Sequence, residues 1–314
     1  MNGGRGSARS GGAIAAMSAM AVISACSTTQ APEPAIGGRE HPSSSSTTDT
    51  TTIATTTTAT TDAAANSSAT TTLARLAPLV ADGDLIALSV AGFREAVVSV
   101  PTGATSPRPI VLALHGNFDR PEWQCDVWRT ITRARAFVVC PRGIPRPDAP
   151  RSLDRWTYGK GSDVRAEVQA ALAAVRTRFE GYVAGGPLLY TGFSLGAIHG
   201  VGIVAGDGQT FPRAVLVEGG HDGWTAARAK AFAAAGGKRV LFACGQRACK
   251  ADAAQARKNL KREGVETELV YGGEVGHTYD GPVAAEISRV WPWLVGDDAR
   301  WAEGTMGGEP VGRN

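Results

Sequence analysis

The sequence predicts an α/β fold built on a doubly wound, mostly parallel sheet. From about residue 73, short apolar runs of strand length alternate with longer segments of helical length. This alternation is typical of parallel strands joined by crossover helices. The hydrophobic fraction of 43% is enough for a buried core, and the 39 glycines indicate many tight turns. We therefore expect one folded domain over residues 73–296.

The predicted strands and helices follow one another through this domain. An antiparallel pair is expected around residues 85–100. The clearest helix follows Ser162 as its N-cap and carries an apolar stripe from Val164 to Phe179 at helical spacing. Short buried strands are predicted at residues 110–115, 136–140, 187–191, 214–218, 239–243 and 268–271, and the other helices at residues 195–204, 225–235, 251–262 and 283–293.

The first 26 residues have the pattern of an export signal. Arg5 and Arg9 form a basic start, residues 13–25 are apolar, and small residues precede Cys26. The apolar run is too short to span a bilayer as a stable helix. Its end, Ile-Ser-Ala-Cys, resembles the lipobox of bacterial lipoproteins, which implies that Cys26 is acylated. An ordinary secretory peptide with an incidental cysteine is the alternative interpretation.

Residues 27–72 are about half Ser and Thr and contain no Leu, Val or aromatic residue. Such a segment buries too little apolar area to offset its chain entropy, so we expect a disordered tether. The lipoprotein resemblance, with Ser27 rather than an aspartate after the cysteine, implies an outer-membrane anchor in a Gram-negative cell envelope. The partner there would be the membrane, contacted through the lipid. The polar residues 297–314 are predicted to be a flexible tail.

The cysteines agree with export. Without Cys26 the sequence has four, an even number in a compartment where disulfides persist. Three pairings are open, and local spacing favours Cys125 with Cys140 and Cys244 with Cys249. A zinc site is the alternative for the second pair, but no second close pair completes one, so we expect no metal. The net charge of +3, without a basic run, argues against a nucleic-acid partner.

One short motif carries the chemistry. Residues 188–197, Leu-Leu-Tyr-Thr-Gly-Phe-Ser-Leu-Gly-Ala, form an apolar strand that runs into Gly-x-Ser-x-Gly and then a helix. In such a nucleophile elbow the residues two before and two after the serine must be small, and here they are Gly192 and Gly196. Ser194 is therefore a candidate nucleophile. A plain strand-to-helix turn with an incidental serine is the alternative.

With this motif, the sequence from about residue 85 to residue 294 resembles the α/β-hydrolase superfamily. Upstream, Val-Leu-Ala-Leu-His-Gly-Asn at residues 111–117 is similar to the family's strand and His-Gly loop. The resemblance implies an oxyanion hole formed by the backbone amides of Asn117 and Leu195. It also implies that His115 shapes the loop and is not a base.

A serine hydroxyl needs an imidazole to accept its proton. Of five histidines, His277 follows the last predicted strand in a Gly-rich loop, where the resembling family places its general base. The acid is less clear, because no carboxylate follows the strand that ends near Cys244. Glu218, at the end of the preceding strand, is preferred over Asp252, with Asp222 third.

These residues imply acyl transfer, with ester hydrolysis as the favoured reaction and a small-molecule or polymer-linked ester as substrate. A peptidase with the same residues and a non-catalytic surface lipoprotein are the alternatives. No nicotinamide, phosphate-loop or metal motif occurs, so no cofactor is expected. Five aromatic residues are candidates for an acyl pocket or for the core: Trp123, Trp128, Trp156, Tyr158 and Phe193.

Overall fold

A computed structural model describes residues 76–301. The predicted signal peptide, Cys26 and the tether therefore lie outside the described residues. The described strands are β1 (Leu85–Leu88), β2 (Ala96–Ser99), β3 (Ile110–Leu114), β4 (Phe137–Cys140), β5 (Ile144–Pro145), β6 (Trp156–Thr157), β7 (Leu189–Phe193), β8 (Arg213–Val217), β9 (Arg239–Cys244) and β10 (Glu266–Tyr271). The described α-helices are α1 (Pro121–Ile131), α2 (Gly161–Arg178), α3 (Leu195–Val204), α4 (Ala226–Ala234), α5 (Arg247–Arg262) and α6 (Gly281–Val295).

Eight strands form one sheet in the order β1-β2-β4-β3-β7-β8-β9-β10. The first three are joined by antiparallel pairs, and every pair from β4 to β10 is parallel. Strands β5 and β6 form a separate two-stranded hairpin. Strands β3, β4, β7 and β8 are buried along their whole length, because helices cover both faces of the sheet. The predicted doubly wound, mostly parallel fold of α/β-hydrolase type is confirmed.

Helix α1 was not predicted from the sequence. Its buried residues are Pro121, Gln124, Cys125, Trp128 and Ile131, which follow helical spacing. Two of these five are not typical core residues, and this hides the periodicity. The proposed cap of α2 was also wrong: the helix begins at Gly161, and the Ser162 hydroxyl donates to Asp163. The buried stripe from Val164 to Val175 is as expected.

The end of the domain lies beyond residue 296, where the tail was predicted to begin. Asp297 forms ion pairs with Arg213 at 2.7 Å and with Arg239 at 2.6 Å. The Trp301 ring packs against Trp291, with centroids 5.4 Å apart. Charge pairing and aromatic contact therefore hold at least residues 297–301 on the domain. The polar, Gly-rich composition of this segment does not reveal such ion pairs with distant strands, and residues 302–314 of the predicted tail lie outside the described residues.

Both predicted cysteine pairs are present as disulfides. Cys125–Cys140 links α1 to the end of β4, and Cys244–Cys249 links the end of β9 to the first turn of α5. Each bond therefore joins a strand to a helix that packs on the sheet. None of the helices within residues 76–301 combines the length and hydrophobicity that a membrane crossing requires.

Candidate active site

Ser194 lies in a sharp turn between the end of β7 and the start of α3. Its backbone has φ 50° and ψ −112°, a conformation that L-residues rarely adopt. The neighbouring glycines explain how this turn is accommodated. A Cβ on Gly196 would lie 2.3 Å from the Leu114 carbonyl oxygen, and one on Gly192 would lie 2.6 Å from the Gly196 carbonyl carbon. The segment thus has the geometry of a nucleophile elbow, with strain concentrated at the serine.

Two neighbouring strand ends hold the elbow in place. The Ser194 amide donates to the carbonyl of Val217, the last residue of β8, at 2.9 Å. The Gly196 amide donates to the carbonyl of His115, just after β3, at 3.1 Å. Because β3, β7 and β8 are parallel neighbours, their carboxyl ends meet at one sheet edge. Ser194 therefore lies between the residues that follow β3 and those that follow β8.

The predicted oxyanion loop follows β3. A Cβ on Gly116 would lie 3.5 Å from the Ser194 Cβ and 2.7 Å from the Phe193 ring, so this loop contacts the elbow directly. The Gly116 amide donates to Asp119 Oδ2 at 3.1 Å, which fixes the loop's curvature. Asn117 follows on the exposed side, and Leu195 begins α3. Their backbone amides are thus on the two segments that flank the serine.

His115 is fully buried beneath this loop. Its Nδ1 lies 2.7 Å from the Gly116 carbonyl oxygen and its Nε2 lies 2.9 Å from the Arg142 carbonyl oxygen. Its ring also stacks on Tyr158, with centroids 4.5 Å apart. Burial lowers the pKa of His115, and the two carbonyl contacts oppose that shift. With both nitrogens occupied by backbone, this side chain shapes the loop and cannot accept a proton from a serine.

Glu218 and His277 form the candidate acid and base. Glu218 follows β8 with a positive φ of 51°, which turns its side chain toward the end of β9. Its Oε1 accepts hydrogen bonds from the amides of Gly245 at 2.5 Å and Gln246 at 3.0 Å. Its Oε2 lies 3.1 Å from His277 Nδ1. The Glu218 side chain is 1% exposed, whereas that of His277 is 47% exposed.

The loop that carries His277 lies against the elbow. The Phe193 ring centroid is 4.8 Å from that of His277 and 4.6 Å from that of Tyr279. The Gly276 amide donates to the Gly245 carbonyl at 3.1 Å, which ties this loop to the end of β9. No hydrogen bond joins Ser194 Oγ to His277 within residues 76–301. Such bonds are often long without substrate and tighten when it binds.

A hydrogen bond that the sequence did not suggest links the two loops. The Tyr279 hydroxyl donates to Asp119 Oδ1 at 3.2 Å, and both residues are buried. Burial and the neighbouring Asp119 carboxylate raise the pKa of Tyr279 far above its ordinary value, so it stays a donor. Asp119 therefore holds the oxyanion loop through Gly116 and the His277 loop through Tyr279. The two residues are 160 positions apart, which left no local pattern to find.

The alternative acids lie elsewhere. Asp252 is exposed on α5 and lies with His221 and Asp222, where the three potential ligand atoms are within 4.8 Å of one another. Asp222 accepts from His221 Nδ1 at 3.0 Å. Neither carboxylate contacts His277 among the described residues. The ranking of Asp252 as a second candidate was based on its short distance in sequence from β9, but α5 carries it away from the His277 loop.

The five aromatic candidates separate into two groups. Trp128 is 1% exposed in the core beneath α1, and Tyr158 is buried against His115. Phe193 contacts His277, and Trp123 is exposed. Trp156 exchanges backbone hydrogen bonds with Asp119, which places it beside the oxyanion loop. Phe193 and Trp156 therefore lie at or near the site, Trp128 and Tyr158 belong to the core, and Trp123 is exposed on α1.

No protein-family model matches this chain, and no curated protein sequence matches it either. Among solved structures, an uncharacterized protein from Bacillus cereus ATCC 10987 superposes with a TM-score of 0.51 at 12% identity, over 62% of this chain. The match spans 61% of that protein's own length.

Two further structures match with TM-scores below one half. TT1662 from Thermus thermophilus gives 0.48 at 17% identity, over 70% of this chain and 98% of the other. A Bacillus cereus carboxylesterase gives 0.46 at 14% identity, over 65% of this chain and 95% of the other. At these identities the likeness concerns the fold alone.

Proposed function

We propose that the protein is a serine hydrolase that cleaves a carboxylic ester through an acyl-enzyme on Ser194. The single observation that carries this proposal is the contact of His277 Nδ1 with a buried carboxylate, Glu218, on a loop that packs against the strained serine turn. A surface histidine without a function has no need for a buried acid held by two backbone amides. The arrangement is the one that orients an imidazole as a general base.

The proposed reaction has two steps. Ser194 Oγ attacks the ester carbonyl while its proton passes to His277 Nε2, and the amides of Asn117 and Leu195 stabilise the oxyanion. The imidazolium then returns the proton to the leaving alcohol as the carbon–oxygen bond breaks. In the second step water attacks the acyl-enzyme, His277 accepts its proton, and the acid is released as Ser194 regains a proton. Glu218 holds the Nδ1–H tautomer and stabilises the imidazolium throughout.

The proposal is tested by labelling with a fluorophosphonate, which forms a covalent adduct only with an activated serine. We expect one adduct, located at Ser194 by mass spectrometry and absent in Ser194→Ala. Ser288→Ala is the matched control, because this exposed serine on α6 donates to the Ala284 carbonyl and has no other side-chain hydrogen bond within residues 76–301. A folded protein in which Ser194 does not react would instead support the non-catalytic alternative.

The bond that is cleaved is tested separately. We expect p-nitrophenyl esters to be hydrolysed and aminoacyl p-nitroanilides to be hydrolysed much more slowly, since both assays release a coloured product. Faster turnover of the anilides would support the peptidase alternative on the same residues. Ser194→Ala should abolish both activities, which excludes a contaminating enzyme.

We further propose that the enzyme is exported and anchored to the cell envelope through a lipid on Cys26, with residues 27–72 as its tether. The two disulfides support export, because such bonds persist in oxidising compartments. Radiolabelled palmitate should be incorporated into the full chain and not into Cys26→Ser. The unlabelled Cys26→Ser variant should also appear in the soluble fraction. Labelling that persists in this variant would refute the lipid anchor on Cys26.

A further inference from the structure

A cavity of about 380 Å³ next to the oxyanion loop has an unusual lining. Four arginines contribute to it, together with three prolines, Trp156 and a single aspartate. We call it the arginine cavity: Arg94, Pro145, Arg146, Pro147, Ala149, Pro150, Arg151, Asp154, Arg155 and Trp156. The β5–β6 hairpin and the segment between its strands form most of its wall.

The hairpin places two of these arginines directly opposite each other. The Arg146 amide donates to the Arg155 carbonyl at 2.9 Å, which continues the β5–β6 ladder. Both guanidinium carbons lie over the same Phe118 ring, at 5.9 Å for Arg146 and 5.4 Å for Arg155. Like charges opposite each other on paired strands destabilise the pair. A bound anion would relieve that repulsion.

The acidic groups nearby leave most of this charge uncompensated. Asp148 pairs with Arg146. Asp154 pairs with Arg120, outside the cavity, and also accepts from Trp156 Nε1 at 2.9 Å. The side chain of Arg155 donates one hydrogen bond, to the Leu153 carbonyl at 2.8 Å.

The two arginines at the rim have no such partners. Within residues 76–301, the side chains of Arg94 and Arg151 form no ion pair or hydrogen bond, although the Arg94 guanidinium lies 5.4 Å from the Trp156 ring. Guanidinium groups match carboxylates in a two-point geometry. The arginine cavity therefore contains guanidinium groups that no nearby carboxylate of the described chain pairs with.

Backbone contacts join the cavity to the reacting centre. Asp119 and Trp156 exchange hydrogen bonds, with the Asp119 amide donating at 3.3 Å and the Trp156 amide at 3.0 Å. Phe118, which lies beneath both arginines, directly follows Asn117. From Phe118 back to Gly116 the chain spans at most about 7 Å. A Cβ on Gly116 would lie 3.5 Å from the Ser194 Cβ. A substrate whose carbonyl lies at Ser194 can therefore extend a second group toward the cavity.

We propose that the arginine cavity binds a carboxylate on the acyl part of the ester, a subsite that rests on the serine hydrolase function proposed above. The acyl side is assigned because the leaving alcohol must lie next to His277, which protonates it, whereas the cavity adjoins the oxyanion loop. The substrate class is then the half-ester of a dicarboxylic acid, or an acyl chain that ends in an acid. Arg155 binds the carboxylate, and Arg94 and Arg151, whose side chains form no ion pair within residues 76–301, attract it.

The test compares p-nitrophenyl hydrogen suberate with the same ester in which a carboxamide replaces the distal carboxylate. We expect kcat/KM for the acid to exceed that for the amide by about tenfold or more. A series of acids from succinate to sebacate should show a maximum at one chain length. Equal rates for acid and amide, or a preference only for esters with the carboxylate on the alcohol, would overturn the proposal.

Variants of the cavity arginines test whether the preference for the acid over the amide arises in the cavity. The ratio of the two kcat/KM values should fall by about tenfold in Arg155→Gln and by about threefold in Arg151→Gln. It should be retained in Arg155→Lys to a larger extent than in Arg155→Gln. Arg289→Gln is the matched control and should leave the ratio unchanged, because this exposed arginine on α6 pairs with Glu286 and with no other acid in the described part of the chain. A ratio that survives Arg155→Gln and Arg151→Gln together would refute the subsite.

Binding to Ser194→Ala separates this proposal from the proposed function. Isothermal titration should show monomethyl suberate binding about tenfold more tightly than dimethyl suberate, and adding Arg155→Gln should remove the difference. If Ser194→Ala binds the acid selectively but Ser194 of the parent protein does not react, the subsite proposal stands and the catalytic proposal is refuted. Ester hydrolysis without selective binding would do the reverse.

Discussion

His115 and His277 follow two strands of the same sheet edge, each next to a glycine, yet their surroundings are opposite. His115 is completely buried, and backbone carbonyl oxygens lie against both of its ring nitrogens. His277 is half exposed, with a carboxylate against one nitrogen. The difference teaches that a general-base histidine needs one ring nitrogen held by a hydrogen-bond partner and the other accessible to the serine. His277 meets this condition and His115 does not. Proximity to the serine alone does not distinguish the two.

The largest expected effect comes from the exposed member of the pair. His277→Ala should lower kcat by about 10⁴-fold or more, because Ser194 would lose its proton acceptor. Its thermal midpoint should change little, since the side chain is 47% exposed. Ester hydrolysis kinetics and a thermal melt measure the two quantities. Activity close to that of the parent protein would remove His277 from the mechanism.

The partner of His277 should matter next. Glu218→Gln should lower kcat by about 10³-fold, because an amide cannot stabilise the imidazolium or hold the same tautomer. Asp252→Asn is the matched control: its carboxylate lies with His221 and Asp222, and activity should stay within about twofold. The reverse ranking in steady-state assays would overturn the assignment of the acid.

For the buried histidine, His115, we expect a large loss of stability and a small loss of catalytic rate. His115→Ala removes a packed ring and leaves one backbone carbonyl without its hydrogen-bond donor, which should cost about 2–4 kcal/mol of unfolding free energy. For a domain of this size that corresponds to a fall in Tm of roughly 5–15 °C. The folded fraction should keep far more activity than His277→Ala does. A loss of rate as large as in His277→Ala would contradict the loop-shaping role.

Tyr279 tests whether the two histidine loops are coupled. Tyr279→Phe removes the hydrogen bond to Asp119 and keeps the contact with Phe193, at a cost of about 1 kcal/mol. Since the carboxylate still accepts from the amides of Gly116 and Arg120, we expect kcat/KM to fall less than about tenfold. An unchanged thermal midpoint together with unchanged kinetics would show that the link is dispensable.

The smallest effect concerns acid stability. In the unfolded chain His115 binds a proton as the pH falls below about 6.5, whereas burial lowers its pKa in the folded protein. The unfolded state therefore binds more protons, so the contribution of the neutral ring is complete above this pH and declines below it. In His115→Asn, Tm should vary less between pH 7 and pH 5.5 than in the parent. Parallel curves would contradict this interpretation.

Much of the fold could be predicted because buried strands and amphipathic helices leave periodic patterns. The serine turn was predictable for a similar reason, since Gly196 is required by the close approach of α3 to β3 and Gly192 by that of α3 to β7. The choice between Glu218 and Asp252 was not, because it depends on the positive φ of Glu218 and on amides of a different strand end. The arginine cavity also escaped prediction, because its lining, apart from Arg94, comes from one irregular segment, residues 145–156, that shows no helix or strand period.

Gly245 and Gln246, whose amides hold the Glu218 carboxylate, lie inside the short loop that the Cys244–Cys249 bond closes. Reduction of this disulfide would loosen the loop and weaken the two hydrogen bonds to Glu218. The turn that carries Ser194 would not be affected directly. We expect a mild reductant to slow ester cleavage in the parent protein and in a Cys125→Ala/Cys140→Ala variant alike. If the proposed activity and export both hold, ester cleavage would be slow in a reducing compartment and would reach its full rate only after the Cys244–Cys249 bond has formed.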